Sequence, residues 1–106
     1  MYQWFQVGEA LTSGMADRSM KEVEINGKLV VLLKAEGAWK AFAATCPHAG
    51  ARLCEGWLDA RGRVVCPLHG YRFDPSNGRN TSGEGYKLRT YPVEVRDGLV
   101  FIGLMF

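Results

Sequence analysis

The stretch that decides the fold begins with Cys46-Pro47-His48-Ala49-Gly50 and ends with Cys66-Pro67-Leu68-His69-Gly70. The chain contains 3 cysteines and 2 histidines, and both histidines and two of the cysteines fall in these two boxes. Thiolates and imidazoles on two similar loops are ligands that transition metals prefer. The glycine that ends each box suits a loop that passes close to a cofactor or adopts a positive φ. We therefore predict that the two boxes form one metal site, held together by the rest of the chain.

Three other interpretations of the boxes were weighed. Chance placement does not explain why nearly all Cys and His residues share two matching boxes. A Cys₂His₂ set is a legitimate structural zinc site, although Cys-x-His beside Cys-x-x-His is not a usual zinc knuckle. A catalytic thiol needs one cysteine, one distant histidine and a third, orienting group. The third cysteine, Cys54, is interpreted as a small packed thiol and not as a ligand.

Length, composition and charge exclude several classes of protein. With 106 residues and 47% hydrophobic side chains, the chain fits a single domain over residues 1–106. Its 13 basic and 11 acidic residues are spread without a run of like charge, which argues against binding to nucleic acid or a membrane surface. The longest apolar run, Leu99 to Phe106, is shorter than the roughly 20 residues of a membrane span. No signal peptide is recognisable, so we expect a cytoplasmic protein.

Many short apolar segments separated by turn residues predict an all-β sandwich or small barrel. Asn26-Gly27 and Asp97-Gly98 are strong hairpin signals, because both central turn positions favour a positive φ. Residues 59–62 predict a hairpin that starts after the first box and leads into the second. Pro92 demotes the segment 88–96 to an edge or bulged strand, and residues 10–18 are predicted to form a loop.

The two boxes, Cys46-x-His48 and Cys66-x-x-His69, resemble those of the Rieske iron–sulfur family. The likeness extends over most of the chain and includes the segments Asn26-Gly27, Leu53 to Gly56, Phe73-Asp74, Tyr91-Pro92-Val93 and Asp97-Gly98. The resemblance implies one [2Fe-2S] cluster per chain, with both cysteines on one iron and both histidines on the other. It also implies an antiparallel β-sandwich with a small cluster-binding subdomain of two loops, about residues 45–75, at one end.

The function implied by this resemblance is one-electron transfer, without catalysis by the chain itself. The expected partners are a flavin-dependent ferredoxin reductase and a terminal oxygenase, as in ring-hydroxylating dioxygenase systems. Both would dock transiently at the tip of the two loops, built from Pro47, Ala49, Ala51, Pro67 and Leu68. Two alternatives remain open: a small Rieske subunit of a nitrite reductase-like enzyme, and a zinc-stabilised interaction module.

The residues around the boxes also bear on the reduction potential. High-potential members of the family carry an extra cysteine in each box, and Ala51 and Leu68 stand at those positions here. Phe73 lacks the hydroxyl group that donates a hydrogen bond in those relatives, so the reduced site is stabilised less. We therefore predict a potential towards the low end of the family range of about −150 to +300 mV. Arg52 and Arg72 should lie near the loops, where they either face an acidic partner or are solvated.

Overall fold

The computed structural model describes residues 2–47, 50–68, 70–83 and 85–105. Almost all of its regular structure is antiparallel β-sheet, which confirms the predicted all-β class. In chain order the elements are β1 (Tyr2–Gln6), α1 (Glu9–Thr12), β2 (Ser19–Ile25), β3 (Lys28–Ala35), β4 (Ala38–Ala43), a 3₁₀ turn (Leu53–Glu55), β5 (Trp57–Leu58), β6 (Val64–Val65), β7 (Arg72–Phe73), β8 (Thr90–Tyr91), β9 (Val93–Arg96) and β10 (Leu99–Met105).

The strands form three sheets, with the orders β1-β10-β9, β2-β3-β4-β8 and β5-β6-β7. Tight two-residue turns set the register of the larger sheets. At Asn26-Gly27 the φ angles are 50° and 79°, and at Asp97-Gly98 they are 52° and 78°. Both hairpin predictions are confirmed, and the left-handed conformation at these positions matches the right-handed twist of the flanking strands.

Strand β3 lies in the middle of the molecule and is buried on both faces. Val30 and Leu32 point into a core shared with the sheet β1-β10-β9, where Ile102 and Leu104 are buried. The alternate residues of β3 point to a second core on the opposite face of the same sheet. A strand covered on both sides needs a continuous apolar run instead of an alternating pattern, and β3 has one.

The predicted interruption at Pro92 separates two sheets. The preceding strand, β8, pairs with β4, whereas the following strand, β9, pairs with β10. Proline has no N–H to donate, but its carbonyl accepts a hydrogen bond from the N–H of Gly103 at 2.9 Å. The segment therefore passes from one sheet to the other at Pro92, which has no N–H group to donate to a neighbouring strand.

The smallest sheet, β5-β6-β7, belongs to the subdomain that carries the two boxes. Its hairpin turn spans Asp59–Gly62, as predicted, and brings β6 directly to Cys66. The subdomain packs against the four-stranded sheet through the second core, which includes Phe42, Leu53 and Phe73. One prediction was wrong in part: residues 10–12 belong to α1, a single turn too short to show a helical period.

Candidate metal centre

Each cysteine of the two boxes follows the end of a strand pairing. Cys46 comes just after β4, where Thr45 still bridges to Arg52, and Cys66 comes directly after β6. We call residues 46–51 the first cysteine loop and residues 66–71 the second cysteine loop. The strands fix the points at which both loops begin and end, so they also fix where the two boxes lie in the fold.

The two cysteine loops are closed by the same pair of backbone hydrogen bonds. The N–H of Cys46 donates to the carbonyl of Ala51 at 2.8 Å, and the N–H of Gly50 donates to the carbonyl of Cys46 at 2.9 Å. The second loop repeats this arrangement: the Cys66 N–H donates to the Tyr71 carbonyl at 2.8 Å, and the Gly70 N–H donates to the Cys66 carbonyl at 3.0 Å. The likeness of the boxes is therefore structural as well as chemical.

Gly50 and Gly70 both have a φ of 72°. This left-handed conformation is readily adopted by glycine but strained for most other residues. At either position an added Cβ would meet no atom of the described residues within 4 Å, so what these residues require is the backbone angle. The predicted role of these two glycines is confirmed.

The structure brings the two box cysteines together. Cys46 is 2% exposed and Cys66 is fully buried, and both belong to the second core. Cys54 is partly buried and packs against the edge of that core, as expected for a small packed thiol. None of the three cysteines forms a disulfide. Two buried thiols on matching loops are a suitable donor pair for one iron of a cluster.

The other two predicted ligands, His48 and His69, lie outside the described residues, as does Ala49 of the predicted tip. Within the described part of the chain, no three His, Cys, Asp or Glu side chains come close enough to hold a metal ion. The described geometry therefore covers the two thiol donors and the loops that carry them. The assignment of all four ligands stays a prediction.

The described part of the predicted tip is exposed and apolar. Pro47 and Pro67 are exposed, Leu68 is 58% exposed and Ala51 is partly buried. These side chains lie at the ends of loops whose cysteines point inward. The thiols are thus buried, while residues that follow them directly in the sequence expose apolar surface.

Tyr71 is the last residue of the second cysteine loop, and Phe73, which bears on the potential, follows it two residues later. Phe73 is fully buried in the second core, and its side chain has no hydrogen-bond donor. The ring of Tyr71 lies 6.1 Å from the ring of Tyr86, measured between centroids. Tyr86 thereby connects the second cysteine loop to the segment 79–87 that follows β7.

The sequence did not point to Gly56, yet this residue sets the position of the second cysteine loop. An added Cβ at Gly56 would lie 2.0 Å from the carbonyl oxygen of Val65 and 3.2 Å from Cδ of Pro67. Only a residue without a side chain allows the chain before β5 to pass so close to β6, which leads into the loop. The sequence predicts this hairpin but not how closely its two strands approach each other.

Asp59 is a second residue whose role the sequence analysis missed. Its Oδ2 accepts from Nε of Arg63 at 2.7 Å and lies 3.4 Å from Nε of Arg72, and its Oδ1 accepts from two backbone N–H groups of the same turn. Burial alone would raise the pKa of Asp59, but hydrogen bonds from Arg63 and Arg61 and the charge of Arg63 outweigh it and lower the pKa. In the sequence, the one indication of this role is that Asp59 starts a turn, where an Asp side chain commonly accepts hydrogen bonds from the backbone of the turn.

Arg52 and Arg72, the two arginines expected near the loops, both have carboxylate partners. Arg52 donates to Glu22 at 2.7 Å and lies 3.5 Å from Glu55. The hydrogen bond to Glu22, helped by the negative charge of that group, raises the pKa of Arg52. Arg72 lies against Asp59, as described above. Neither arginine is simply solvated, because intramolecular ion pairs engage both.

A family model for the Rieske [2Fe-2S] domain matches residues 3–92. The ferredoxin component of the naphthalene 1,2-dioxygenase/salicylate 5-hydroxylase systems of Ralstonia sp is 36% identical over 81 residues, which cover 76% of this chain and 77% of that protein. These matches indicate one [2Fe-2S] cluster and an electron-transfer component, not a catalytic enzyme, as predicted.

Solved structures give the same fold. The ferredoxin in a complex of reduced oxygenase and oxidised ferredoxin in carbazole 1,9a-dioxygenase superimposes with a TM-score of 0.76 at 28% identity, over 87% of this chain and 95% of that one. A chain described as an NADH-dependent nitrite reductase small subunit from Mycobacterium tuberculosis superimposes with a TM-score of 0.87 over 100% of this chain and 98% of that one. At 18% identity, the second likeness concerns the fold alone.

Proposed function

The chain belongs to the Rieske [2Fe-2S] family, and from this premise we propose that it carries single electrons from a flavin-dependent ferredoxin reductase to a terminal oxygenase. The observation that carries the proposal is the exposed apolar tip, Pro47, Pro67 and Leu68, over two buried thiols. A carrier must expose a surface close to its redox group and release each partner quickly, so a small docking patch suits it. The bound cluster supplies one-electron oxidation and reduction.

The ligand set is part of the proposal: Cys46 and Cys66 hold one iron, and His48 and His69 hold the other. The role of the chain is then to bury the thiolates, fix the loops through Gly50 and Gly70, and exclude water from the sulfur side. We further propose that residues 1–106 form one domain, with a cluster-binding subdomain over about residues 45–75. Cytoplasmic localisation stays a prediction; no helix in the described ranges is long and apolar enough to cross a membrane.

Metal analysis of single variants tests the ligand set. Cys46→Ser and Cys66→Ser should each lose the iron and the visible colour, whereas Cys54→Ser should retain two irons per chain as the matched control. His48→Ala and His69→Ala should also lose the intact cluster. Colourless wild-type protein with bound zinc would support the zinc-stabilised module instead and would refute the ligand assignment.

A reductase-coupled assay tests the carrier function. The oxidised protein is mixed with NADH and a flavin-dependent ferredoxin reductase of a dioxygenase system, and reduction is followed by the bleaching of the cluster. Reoxidation by a terminal oxygenase with its substrate should then restore the colour over repeated cycles. Absence of reduction by every such reductase, while dithionite still reduces the cluster, would contradict the proposal.

The second candidate is a permanent small subunit of a nitrite reductase-like enzyme, the alternative that the sequence left open. Size-exclusion chromatography of the protein purified with its native neighbours separates the two. A carrier should elute alone, whereas a subunit should remain bound to a much larger catalytic chain. The carrier is preferred because the relative at 36% identity is a ferredoxin component.

A further inference from the structure

A pocket of about 460 Å³ lies beside the second cysteine loop, and the function proposed above does not use it. We call it the basic pocket; its lining residues are Asn77, Arg79, Asn80, Gly85, Tyr86 and Lys87. Among the described residues of this lining, the charged side chains are Arg79 and Lys87, which are both cationic. Neither forms an ion pair with any residue in the described ranges, in contrast to Arg52 and Arg72.

The backbone around the basic pocket is tightly held. The N–H of Leu88 donates to the carbonyl of Gly78 at 2.8 Å, and the N–H of Asp74 donates to the carbonyl of Arg79 at 2.9 Å. A Cβ at Gly78 would lie 1.8 Å from the Leu88 carbonyl oxygen, so the two ends of this segment are in direct backbone contact. The pocket is therefore preformed, and a ligand would not have to order it.

Asn80 adds a polar group to the wall of the pocket. Its Oδ1 accepts hydrogen bonds from the N–H and the hydroxyl of Ser82, at 2.8 and 2.9 Å, which fixes the orientation of the amide. The Nδ2 group is buried and has no acceptor among the described residues, so the groups that a docked carboxylate would meet are the two cations.

The basic pocket is close to the redox site. Tyr86, a lining residue that is 44% exposed, contacts the ring of Tyr71, and the Tyr71 carbonyl accepts the hydrogen bond of the Cys66 N–H. Tyr86 thus places the pocket beside the loop that carries Cys66 and the exposed Pro67 and Leu68. The lining combines an exposed aromatic ring with two cations, which offers apolar contact together with charge.

We propose that the basic pocket binds carboxylate side chains on an acidic surface segment of the redox partner. The inference rests on the carrier function proposed above and adds to it the chemistry that orients the partner. Charge pairs at the rim of an interface chiefly accelerate encounter and fix the register of the two proteins. Apolar contact at the tip alone gives little preference for one orientation of the partner. Charge pairs at the pocket would fix that orientation.

A matched pair of double variants tests the proposal in the cluster-loaded protein. Arg79→Gln/Lys87→Gln removes both cations of the pocket, and Arg61→Gln/Arg89→Gln removes two exposed positive charges elsewhere, on the turn 59–62 and next to β8. Both double variants have the same net charge, so they differ only in where the charge was lost. Iron content and the visible spectrum should be unchanged in both, since all four side chains are exposed.

Hexaglutamate is the probe, with binding measured by titration calorimetry at low salt. We expect the pocket variant to weaken binding about five- to tenfold and the control to change it less than twofold. Equal weakening by both variants would show a general charge effect and overturn the proposal, as would absence of binding to the wild type. Tighter binding of inorganic phosphate than of hexaglutamate would also overturn it, in favour of a small-anion site.

The reductase-coupled assay separates failure of this inference from failure of the carrier function. If the wild type and the pocket variant are reduced at equal rates at low salt, the carrier function stands and the pocket proposal is wrong. If the wild type binds hexaglutamate in the pocket but accepts no electrons from any reductase, the carrier function is wrong. A rate that falls about fivefold in the pocket variant alone, and that loses this difference at high salt, supports both.

Discussion

The two cysteine loops share one backbone conformation but are anchored to the protein in different ways. The first loop returns through Arg52, whose side chain is 55% exposed and pairs with Glu22, which is 16% exposed. The second loop is held by the close contact of Gly56 with Val65 and by Asp59, which is 14% exposed. Asp59 contacts two arginines and two backbone N–H groups, so its carboxylate has more partners than that of Glu22. We infer that the second loop depends on its anchors more than the first.

Substitution of Gly56 should have the largest effect. Gly56→Ala places a methyl group 2.0 Å from the Val65 carbonyl oxygen, so either β5 or the second cysteine loop must move. We expect a loss of about 2–3 kcal/mol in the free energy of unfolding, measured by denaturant titration, as for an overpacked core site. Gly8→Ala is the control, since its Cβ meets no atom within 4 Å. Equal stability of the two variants would mean that this contact does not anchor the loop.

Loss of the Asp59 carboxylate should rank second. Asp59→Asn keeps the shape of the side chain but removes the charge that faces Arg63 and Arg72. Hydrogen bonds to charged groups at partly buried sites contribute more than neutral ones, so we expect a loss of about 2 kcal/mol. Denaturant titration of the cluster-loaded protein measures it. Asp97→Asn, at an exposed hairpin turn, is the control and should change stability much less.

The advantage of Asp59 over asparagine should depend on pH. The hydrogen bonds and the Arg63 charge lower the pKa of Asp59 in the folded protein despite the opposing effect of burial. A lowered pKa stabilises the fold fully above the unfolded-state value of about 3.9, and this contribution is lost as the pH falls through the lower folded value. The stability difference between wild type and Asp59→Asn should therefore be constant from pH 7 to 5 and shrink below pH 4. A difference that grew on acidification would contradict the assigned direction.

Sequence reasoning succeeded where the decisive residues are local. The two boxes indicate the Rieske family by residue type and spacing, and Asn26-Gly27 indicates its hairpin. The four ligands stay a prediction, and Pro92, which predicted an edge or bulged strand, separates two sheets. Gly56 and Asp59 escaped prediction because their importance arises from segments that meet only in the folded chain. The same is true of Arg79 and Lys87, which the sequence did not distinguish from Arg52 and Arg72; pairing with acidic side chains separates the two sets.

The loop glycines test the similarity of the two loops. Gly50→Ala and Gly70→Ala each force a φ of 72° on a residue with a Cβ that otherwise meets no atom within 4 Å. We expect each substitution to destabilise the protein by about 1 kcal/mol, because only the backbone conformation is penalised. Thermal unfolding of the two variants side by side measures this. A much larger loss for Gly70→Ala would show that the firmer anchoring of the second loop prevents relaxation, whereas equal losses would show that the loops respond alike.

The surface anchor of the first loop should contribute least. Glu22→Gln removes the carboxylate that accepts the hydrogen bond of Arg52 at 2.7 Å, but Glu55 remains near the guanidinium and solvent screens the pair. The denaturation midpoint should shift much less than in Asp59→Asn. In 0.5 M salt the shift should disappear, because the Debye length falls from about 10 Å at 0.1 M towards about 3 Å at 1 M and the charges are then screened from each other. Together with Arg52→Gln and the double variant, this substitution completes a double-mutant cycle, which isolates the interaction energy between Glu22 and Arg52. A salt-resistant loss as large as that of Asp59→Asn would show that the first loop is anchored as firmly as the second, and the contrast between the loops would then lie in geometry alone.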